Sequence, residues 1–207
     1  DHPLIPVVQQ ERVGLADEGG QLPFELFVPF GLPAHHTRPH RIRHTEFGGG
    51  FGIPYHKYDN ETRLDMADLG ARLHALISDW AAQTGYQGRF LVEPGRYVAA
   101  ECGVLLGRVH AVKNNGDRRY VGTDLGFNVL VRPAMYDSFH DFEIYEAPGA
   151  CARDALPQTI VGNICESGDI LAKDRTLPAL HEGDVLGVLD AGAYGFTMGS
   201  NYNMRRR

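Results

Sequence analysis

The sequence predicts an α/β segment over residues 46–106, followed by an antiparallel β domain over residues 107–207. Three observations support this order. A glycine-rich turn precedes a helical apolar pattern, a short apolar run follows that pattern, and alternating segments with hairpin turns fill the rest of the chain. Residues 1–45 keep neither helix nor strand periodicity for long, so we expect an irregular segment there.

Composition narrows the possible partners and the compartment. Hydrophobic residues make up 43% of the 207 residues and charged residues 22%, as in an ordinary globular protein. No apolar run approaches the roughly 18 residues of a membrane span, and a net charge of −6 argues against a nucleic-acid partner. Three irregularly spaced cysteines indicate reduced thiols. The sequence contains no CxxC pair, so a structural zinc site is not expected. We therefore expect a cytoplasmic protein without metal.

The α/β segment starts with a glycine-rich turn at residues 47–55, Phe-Gly-Gly-Gly-Phe-Gly-Ile-Pro-Tyr. Consecutive glycines can present backbone N–H groups to a phosphate, although a plain flexible turn has the same composition. Apolar residues from Leu64 to Trp80 follow helical spacing, and Gly85 is the predicted end of that helix. Residues 90–92, Phe-Leu-Val, then predict a buried strand. Polar residues at the end of such a strand occupy the position where α/β barrels and doubly wound sheets bind ligands.

The β domain is predicted from alternating segments. Residues 97–106 are small and apolar and predict a buried helix or the start of a strand. Residues 109–113 alternate, and Asn-Asn-Gly-Asp at residues 114–117 is typical of a hairpin turn before the returning strand at 120–124. Further strands are predicted at residues 142–145, 159–162 and 185–190.

A thiol and a carboxylate stand side by side in the loop Gly-Asn-Ile-Cys-Glu-Ser-Gly-Asp at residues 162–169. Cys165 and Glu166 can act together on a proton, because each group lies in the electrostatic field of the other. Arg96, which follows the predicted strand, suits a carboxylate or a phosphate, but a surface salt bridge would explain it equally well. Each of these signals is weak when it is taken alone.

Six short motifs occur in order along residues 46–204, and together they are far more specific than any one of them. They are Gly-Gly-Gly-Phe-Gly-Ile-Pro-Tyr at 48–55, Glu-Pro-Gly-Arg at 93–96, Arg-Pro-Ala-Met-Tyr at 132–136, Cys-Glu-Ser-Gly-Asp at 165–169, Asp-Ala-Gly-Ala-Tyr at 190–194 and Ser-Asn-Tyr-Asn at 200–203. This set resembles the C-terminal half of the diaminopimelate decarboxylase family, fold-type III enzymes that use pyridoxal 5'-phosphate. The resemblance implies that residues 46–106 are part of a TIM-type barrel and residues 107–207 its C-terminal β domain.

The resemblance also implies roles for individual residues. The cofactor contacts would be Gly50, Glu93, Pro94, Gly95, Arg96 and Tyr194. The substrate contacts would be Arg96, Arg132, Tyr136, Glu166 and Tyr194, with arginines suited to carboxylates and Glu166 to a distal ammonium. Cys165 would be the proton donor. In the family it reaches the active site of the neighbouring subunit, so the resemblance implies a homodimer with shared active sites.

The sequence departs from the family at the barrel. Such a barrel takes about 250 residues, and none of Lys57, Lys113 or Lys173 matches the family's Schiff-base lysine. We therefore expect the chain alone to be inactive. It is either the C-terminal portion of an enzyme that converts meso-diaminopimelate to L-lysine and CO2, or a non-catalytic remnant or assembly module. Ornithine, lysine, and siderophore or antibiotic precursors remain open as alternative substrates.

Overall fold

The computed structural model describes residues 44–145 and 152–207 in full, and the backbone of two strands at residues 10–14 and 25–29. The chain forms two compact units, one of residues 1–52 and 63–96 and one of residues 53–62 and 97–207. The predicted boundaries at 45/46 and 106/107 stay a prediction. The described elements are β1 (Gln10–Gly14), β2 (Glu25–Pro29), β3 (His44–Phe47), α1 (Met66–Thr84), β4 (Arg89–Val92), α2 (Gly95–Ala99), β5 (Leu105–Asn115), β6 (Arg118–Thr123), α3 (Arg132–Tyr136), β7 (Phe142–Tyr145), β8 (Ala155–Val161), β9 (Ile170–Pro178) and β10 (Val185–Val188).

The first unit contains a strand–helix–strand arrangement, of which the helix and the second strand were predicted. β3 and β4 pair in parallel, with Phe47 opposite Val92, and α1 lies between them in the sequence. A parallel pair requires a long crossover connection, which the 19-residue helix α1 provides. β1 and β2 form a separate antiparallel pair. The structure thus confirms the α/β character of this part of the chain.

Helix α1 is fixed at both ends by its capping residues. The Asp65 carboxylate accepts hydrogen bonds from the N–H groups of Ala67 and Asp68 at 2.8 and 3.1 Å. At the other end Gly85 adopts a left-handed φ of 71° and donates its N–H to the Ala81 carbonyl. The predicted helix and its end at Gly85 are confirmed. Within the described ranges, no helix combines the length and the apolarity needed to cross a membrane.

The strand predicted at residues 90–92 is confirmed as β4, and residues 97–106 contain the end of α2 and the start of β5, but the expected burial is wrong for several of their side chains. In β4, Leu91 and Val92 are 42% and 46% exposed, and Val98 and Leu106 are also exposed. Parallel strands are buried when helices cover both faces of their sheet. β4 belongs to a sheet of only two strands, so its apolar side chains remain partly open to solvent.

The second unit contains a six-stranded sheet in the order β7-β10-β5-β6-β8-β9. Every neighbouring pair is antiparallel except β6 and β8, which run parallel with Val121 opposite Ile160. The predicted hairpin joins β5 and β6, and Gly116 in its turn has a φ of 59°. The core of this unit is formed by fully or nearly fully buried side chains, among them Val109, Val121, Leu130, Ile160, Leu180 and Leu186.

Among the remaining strands, only β7 has the predicted bounds. β8 begins before residue 159, and β10 ends before Asp190, whose φ of 57° is left-handed. β9 was not predicted, because Lys173, Asp174 and Arg175 interrupt its apolar pattern.

Candidate active site

The glycine-rich turn and the segment after β4 approach each other closely in the first unit. Gly50 has a φ of 97°, a conformation that favours glycine. A Cβ atom placed at Gly49 would lie only 3.0 Å from the carbonyl oxygen of Glu93. The structure therefore brings the turn that holds Gly50 next to the predicted phosphate-binding segment 93–96.

These residues suit the phosphate of pyridoxal 5'-phosphate. A glycine backbone can expose several N–H groups to one anion, and the partly buried Arg96 adds a guanidinium close to the start of α2. Glu93 and Gly95 are exposed and Pro94 is partly buried. The phosphate end of the cofactor thus has a suitable set of donors in this chain.

The lysines do not suit the covalent attachment of the cofactor. Lys57 Nζ lies 2.6 Å from Glu101 Oε1 and 3.1 Å from Asp190 Oδ1. Burial opposes its charge, but the hydrogen bonds to these two carboxylates outweigh burial and raise the pKa of Lys57. Lys113 and Lys173 are exposed on β5 and β9. Lys57 is therefore held as an ammonium ion, and the other two side chains extend from strands into solvent.

Arg132 is a buried cation at the start of α3, with 6% of its surface exposed. Its Nη1 donates to His140 Nε2 at 3.0 Å. Its Cζ atom lies 4.9 Å from the centre of the Tyr55 ring and 5.7 Å from that of Tyr194. In the described part of the chain, no carboxylate forms a salt bridge with Arg132. Arg132 and Tyr194, both predicted from the sequence, thus lie together, whereas Tyr136 at the other end of α3 is 61% exposed.

His140 is the residue of this cluster that sequence analysis missed. It is 1% exposed, and its Nδ1 lies 2.8 Å from the Leu189 carbonyl oxygen. Burial lowers the pKa of His140 to about 4, and the charges of Arg132 and Arg175 act in the same direction. The imidazole is therefore neutral at pH 7. A single histidine before a strand offers no sequence pattern that would have revealed this contact.

Glu166 is held as a carboxylate in an exposed position. Its Oε2 accepts from Tyr202 Oη at 3.2 Å, and its Oε1 accepts from Ser167 Oγ at 3.3 Å and from the Gly168 N–H at 3.4 Å. The backbone hydrogen bond from Gly168, followed by those from Tyr202 and Ser167, lowers the pKa of Glu166. A charged, oriented carboxylate of this kind can bind an ammonium group.

Asp169 fixes the loop at residues 162–169. It is 4% exposed, and its two carboxylate oxygens accept from the N–H groups of Phe127 at 2.6 Å and Ile164 at 2.7 Å. A Cβ atom at Gly162 would collide with the same carboxylate. Burial raises the pKa of Asp169, although the two hydrogen bonds act in the opposite direction. The pairing of Gly162 with Asp169 at the two ends of the loop is the signal that could have predicted this contact.

Cys165 is an exposed free thiol next to Glu166. Cys102 is also free and exposed, and Cys151 lies outside the described residues. The loop and the Arg132 cluster are two groups of candidate site residues within the second unit, with no hydrogen bond between Arg132 and the Cys165–Glu166 pair among the described residues.

Two relatives show how much of the chain can be compared. The diaminopimelate decarboxylase of Methanothermobacter thermautotrophicus is 39% identical over 197 residues, which cover 94% of this chain and 45% of the relative. That of Archaeoglobus fulgidus is 44% identical over 170 residues, or 78% of this chain and 37% of the relative. The chain therefore spans less than half the length of these relatives.

A solved structure and a family profile agree with these relatives. Diaminopimelate decarboxylase from M. jannaschii, in complex with L-lysine, has a TM-score of 0.70 and 34% identity, and the match covers 80% of this chain and 37% of that one. The profile described as "Pyridoxal-dependent decarboxylase, C-terminal sheet domain" matches residues 58–192. The chain therefore belongs to the family of pyridoxal-dependent decarboxylases and contains their C-terminal sheet domain.

Proposed function

We propose that this chain provides the C-terminal part of a pyridoxal 5'-phosphate-dependent decarboxylase that converts meso-diaminopimelate to L-lysine and CO2. The observation that carries the proposal is the buried charge of Arg132, which lacks a carboxylate partner among the described residues. A buried cation is costly unless an anion pairs with it. A carboxylate of the substrate would supply that anion, and the names of the relatives suggest which amino acid carries it.

The cofactor would be held by the glycine-rich turn and by the segment that follows β4. Gly50 and residues 93–96 would bind its phosphate, with Arg96 adding positive charge and also contacting the substrate. Tyr194, whose ring lies 5.7 Å from Arg132 Cζ, would contact both the cofactor and the substrate. When bound, pyridoxal phosphate supplies an electron sink for the bond that breaks as CO2 leaves.

The substrate would be recognised at both of its ends. Arg132 would bind a carboxylate, Tyr136 at the other end of α3 would be a further substrate contact, and Glu166 would bind the distal ammonium. Cys165 would then donate its thiol proton to the carbon atom that has lost CO2. This assignment uses the lowered pKa of Glu166, because a carboxylate that stays charged attracts an ammonium at neutral pH.

The remaining parts of the enzyme would come from outside this chain. None of its three lysines suits covalent attachment of the cofactor, so a TIM-type barrel segment on the same protein or on a second polypeptide would supply that lysine. We propose a cytoplasmic homodimer with shared active sites, in which Cys165 of each subunit reaches the active site of the other. Ornithine, lysine and related precursors remain alternative substrates.

A second candidate is a non-catalytic remnant or assembly module. The ion pairs of Lys57 favour it, because they leave this chain without a lysine that could hold the cofactor. The two candidates differ in what accompanies the chain in its native state. An intact mass of the native protein that includes a barrel segment, or co-purification of a barrel polypeptide, would favour the enzyme.

The function is tested with a holoenzyme in which residues 44–207 replace the matching part of the Methanothermobacter relative. We expect pyridoxal phosphate-dependent release of CO2 and L-lysine from meso-diaminopimelate. A holoenzyme that binds the cofactor and folds but releases neither product would contradict the proposal. Faster turnover of ornithine or lysine would contradict the proposed substrate alone.

A further inference from the structure

We propose that His140 is a positioning residue, whose neutral imidazole orients the Arg132 guanidinium toward the carboxylate of the substrate. The inference rests on the proposed function, because the orientation of Arg132 matters to catalysis only if this side chain binds the substrate. The contact that suggests it is the hydrogen bond of 3.0 Å between Arg132 Nη1 and His140 Nε2.

The two partners of the imidazole select a single tautomer. A guanidinium has donors only, so His140 Nε2 must accept the hydrogen bond from Arg132. A carbonyl oxygen accepts only, so Nδ1, at 2.8 Å from the Leu189 oxygen, must carry the proton. Either the cation or the other tautomer would direct an N–H group at the N–H groups of Arg132. The geometry therefore requires a neutral ring that is protonated at Nδ1.

A neutral acceptor has an advantage over a carboxylate at this position. An aspartate or glutamate would orient Arg132 but would also cancel its charge, whereas an imidazole orients it and leaves the charge available. The adjacent carboxylate of Asp141 is already engaged by Arg175 Nη1 at 3.3 Å and by the Lys57 backbone N–H at 2.6 Å. The charge of Arg132 therefore remains available for the carboxylate of a ligand.

The ring of His140 is anchored from several sides. Arg175 Nη2 donates to the His140 carbonyl at 2.9 Å, and the Leu189 N–H donates to the Asp141 carbonyl at 2.9 Å. The Tyr55 ring packs edge-on against the imidazole, with centroids 5.6 Å apart. These contacts fix the backbone and the ring plane of His140, so its Nε2 offers Arg132 an acceptor in one direction.

The tautomer is measured in the full chain by ¹⁵N NMR of the histidine side chains, without any substitution. We expect the His140 signals of a neutral ring with a proton on Nδ1 and none on Nε2 at pH 7. A proton on Nε2, in either the neutral or the cationic ring, would overturn the inference.

The functional effect is measured with two substitutions in the holoenzyme described above. His140→Gln keeps an acceptor near the position of Nε2, whereas His140→Asn keeps only a donor near that of Nδ1. Because a hydrogen bond to a charged group is lost, we expect His140→Asn to raise KM for meso-diaminopimelate about tenfold or more, with kcat within about threefold. His140→Gln is expected to keep KM within about threefold of wild type.

The control is Thr123→Val, which removes a buried hydroxyl that donates to the Val161 carbonyl at 3.1 Å. This change lowers stability without touching the Arg132 cluster, so KM should not move. An equal KM in the Gln and Asn variants overturns the positioning role.

Failure of the proposed function has a different signature. A wild-type holoenzyme that does not process meso-diaminopimelate, or whose KM is insensitive to Arg132→Met, contradicts that function, and the positioning role is then overturned with it. A holoenzyme that is active and depends on Arg132, but whose KM is unchanged in His140→Asn, contradicts the positioning role alone.

Discussion

At the scale of single residues, the chemistry of this chain lies in charges that are held in defined states. Arg132 is buried and has no carboxylate partner among the described residues, and Glu166 is oriented by three hydrogen bonds that lower its pKa. Lys57 is held as an ammonium by two carboxylates. Neighbouring groups set how each of these charged side chains is buried, oriented and paired, so each arrangement can be tested by a single substitution.

Replacing Cys165 with alanine tests its assignment as the proton donor. A general acid contributes roughly a hundredfold or more to the rate, so Cys165→Ala in the holoenzyme should lower kcat by about that factor. Binding of pyridoxal phosphate, followed by absorbance, should not change. Cys102→Ala is the matched control, because Cys102 is also exposed and its thiol donates only to the Ala99 carbonyl. Unchanged turnover in Cys165→Ala would remove Cys165 from its proposed role.

Replacing Arg132 with methionine separates a binding role from a structural one. The change removes a buried charge, so we expect little loss of thermal stability but a rise in KM of roughly a hundredfold. Arg119→Met is the control, because Arg119 donates to Gln158 Oε1 and to the Leu180 carbonyl inside the sheet domain. The control should lose stability and keep its KM. A large loss of stability with an unchanged KM in Arg132→Met would show that Arg132 is structural.

At the scale of elements, loops and helix ends are fixed by a few polar contacts. The loop at residues 162–169 is closed by Asp169, which accepts from the backbone of two segments. Helix α1 is closed by Asp65 and Gly85. His140 connects α3 with the segment after β10 through Arg132 and the Leu189 carbonyl. In the loop and at His140, these contacts hold candidate site residues in place.

The glycine at the start of the loop provides a matched pair of substitutions. Gly162→Ala places a methyl group against the Asp169 carboxylate, whereas a Cβ atom at Gly168 meets no atom within 4 Å. Overpacking of this kind costs about 1–3 kcal/mol of unfolding free energy. We expect urea denaturation to show that loss for Gly162→Ala and much less for Gly168→Ala. Equal losses would contradict the role of Asp169 in closing the loop.

The pH dependence of stability tests the buried state of His140. Its pKa is lowered from 6.5 to about 4 by burial, so between these values the unfolded chain binds a proton at His140 and the folded chain does not. The free energy of unfolding therefore decreases by up to roughly 3 kcal/mol as the pH falls through this window, and the full contribution of the neutral His140 is present above pH 6.5. His140→Gln should flatten this part of the curve in urea titrations. A slope that equals that of the wild type would contradict a neutral His140.

At the scale of the whole molecule, the chain combines the C-terminal sheet domain of a decarboxylase with one strand–helix–strand unit. It spans less than half the length of these relatives, and its apolar Leu91, Val92 and Leu106 are exposed. None of the three lysines of the sequence suits covalent attachment of the cofactor. We therefore expect that this chain does not hold the cofactor covalently by itself.

Treatment with pyridoxal phosphate and borohydride tests this conclusion directly. With one equivalent of cofactor, we expect no stoichiometric labelling of Lys57 in the 207-residue chain, because an ammonium in an ion pair is a poor nucleophile. We expect the same for Lys113 and Lys173, because their side chains are exposed on strands β5 and β9, which lie outside the predicted phosphate-binding segment. Peptide mass mapping after reduction gives the result. Complete labelling of one of these lysines would show that the chain can hold the cofactor by itself.

The sequence by itself determined the family and those elements that have a clear local pattern. Helix α1 with its end at Gly85, the β5–β6 hairpin and β7 follow from local periodicity and turn chemistry, which depend on neighbouring residues only. The six motifs likewise identify the family, because their residues and their order can be seen in the sequence alone. Asp169 and Tyr202 belong to these motifs. The motifs nevertheless do not predict that Asp169 accepts from the Ile164 N–H or that Tyr202 donates to Glu166.

Only the tertiary structure decided the contacts that join distant parts of the chain. β6 pairs with β8 in parallel, and Arg132 meets both His140 and Tyr55. The partial exposure of β4 and the ion pairs of Lys57 also appear only in three dimensions. Periodicity describes the direction of a side chain relative to its own element. The charge state of a buried group depends instead on solvent exclusion and on partners brought together by folding, and these set the neutral His140 beside the cation of Arg132.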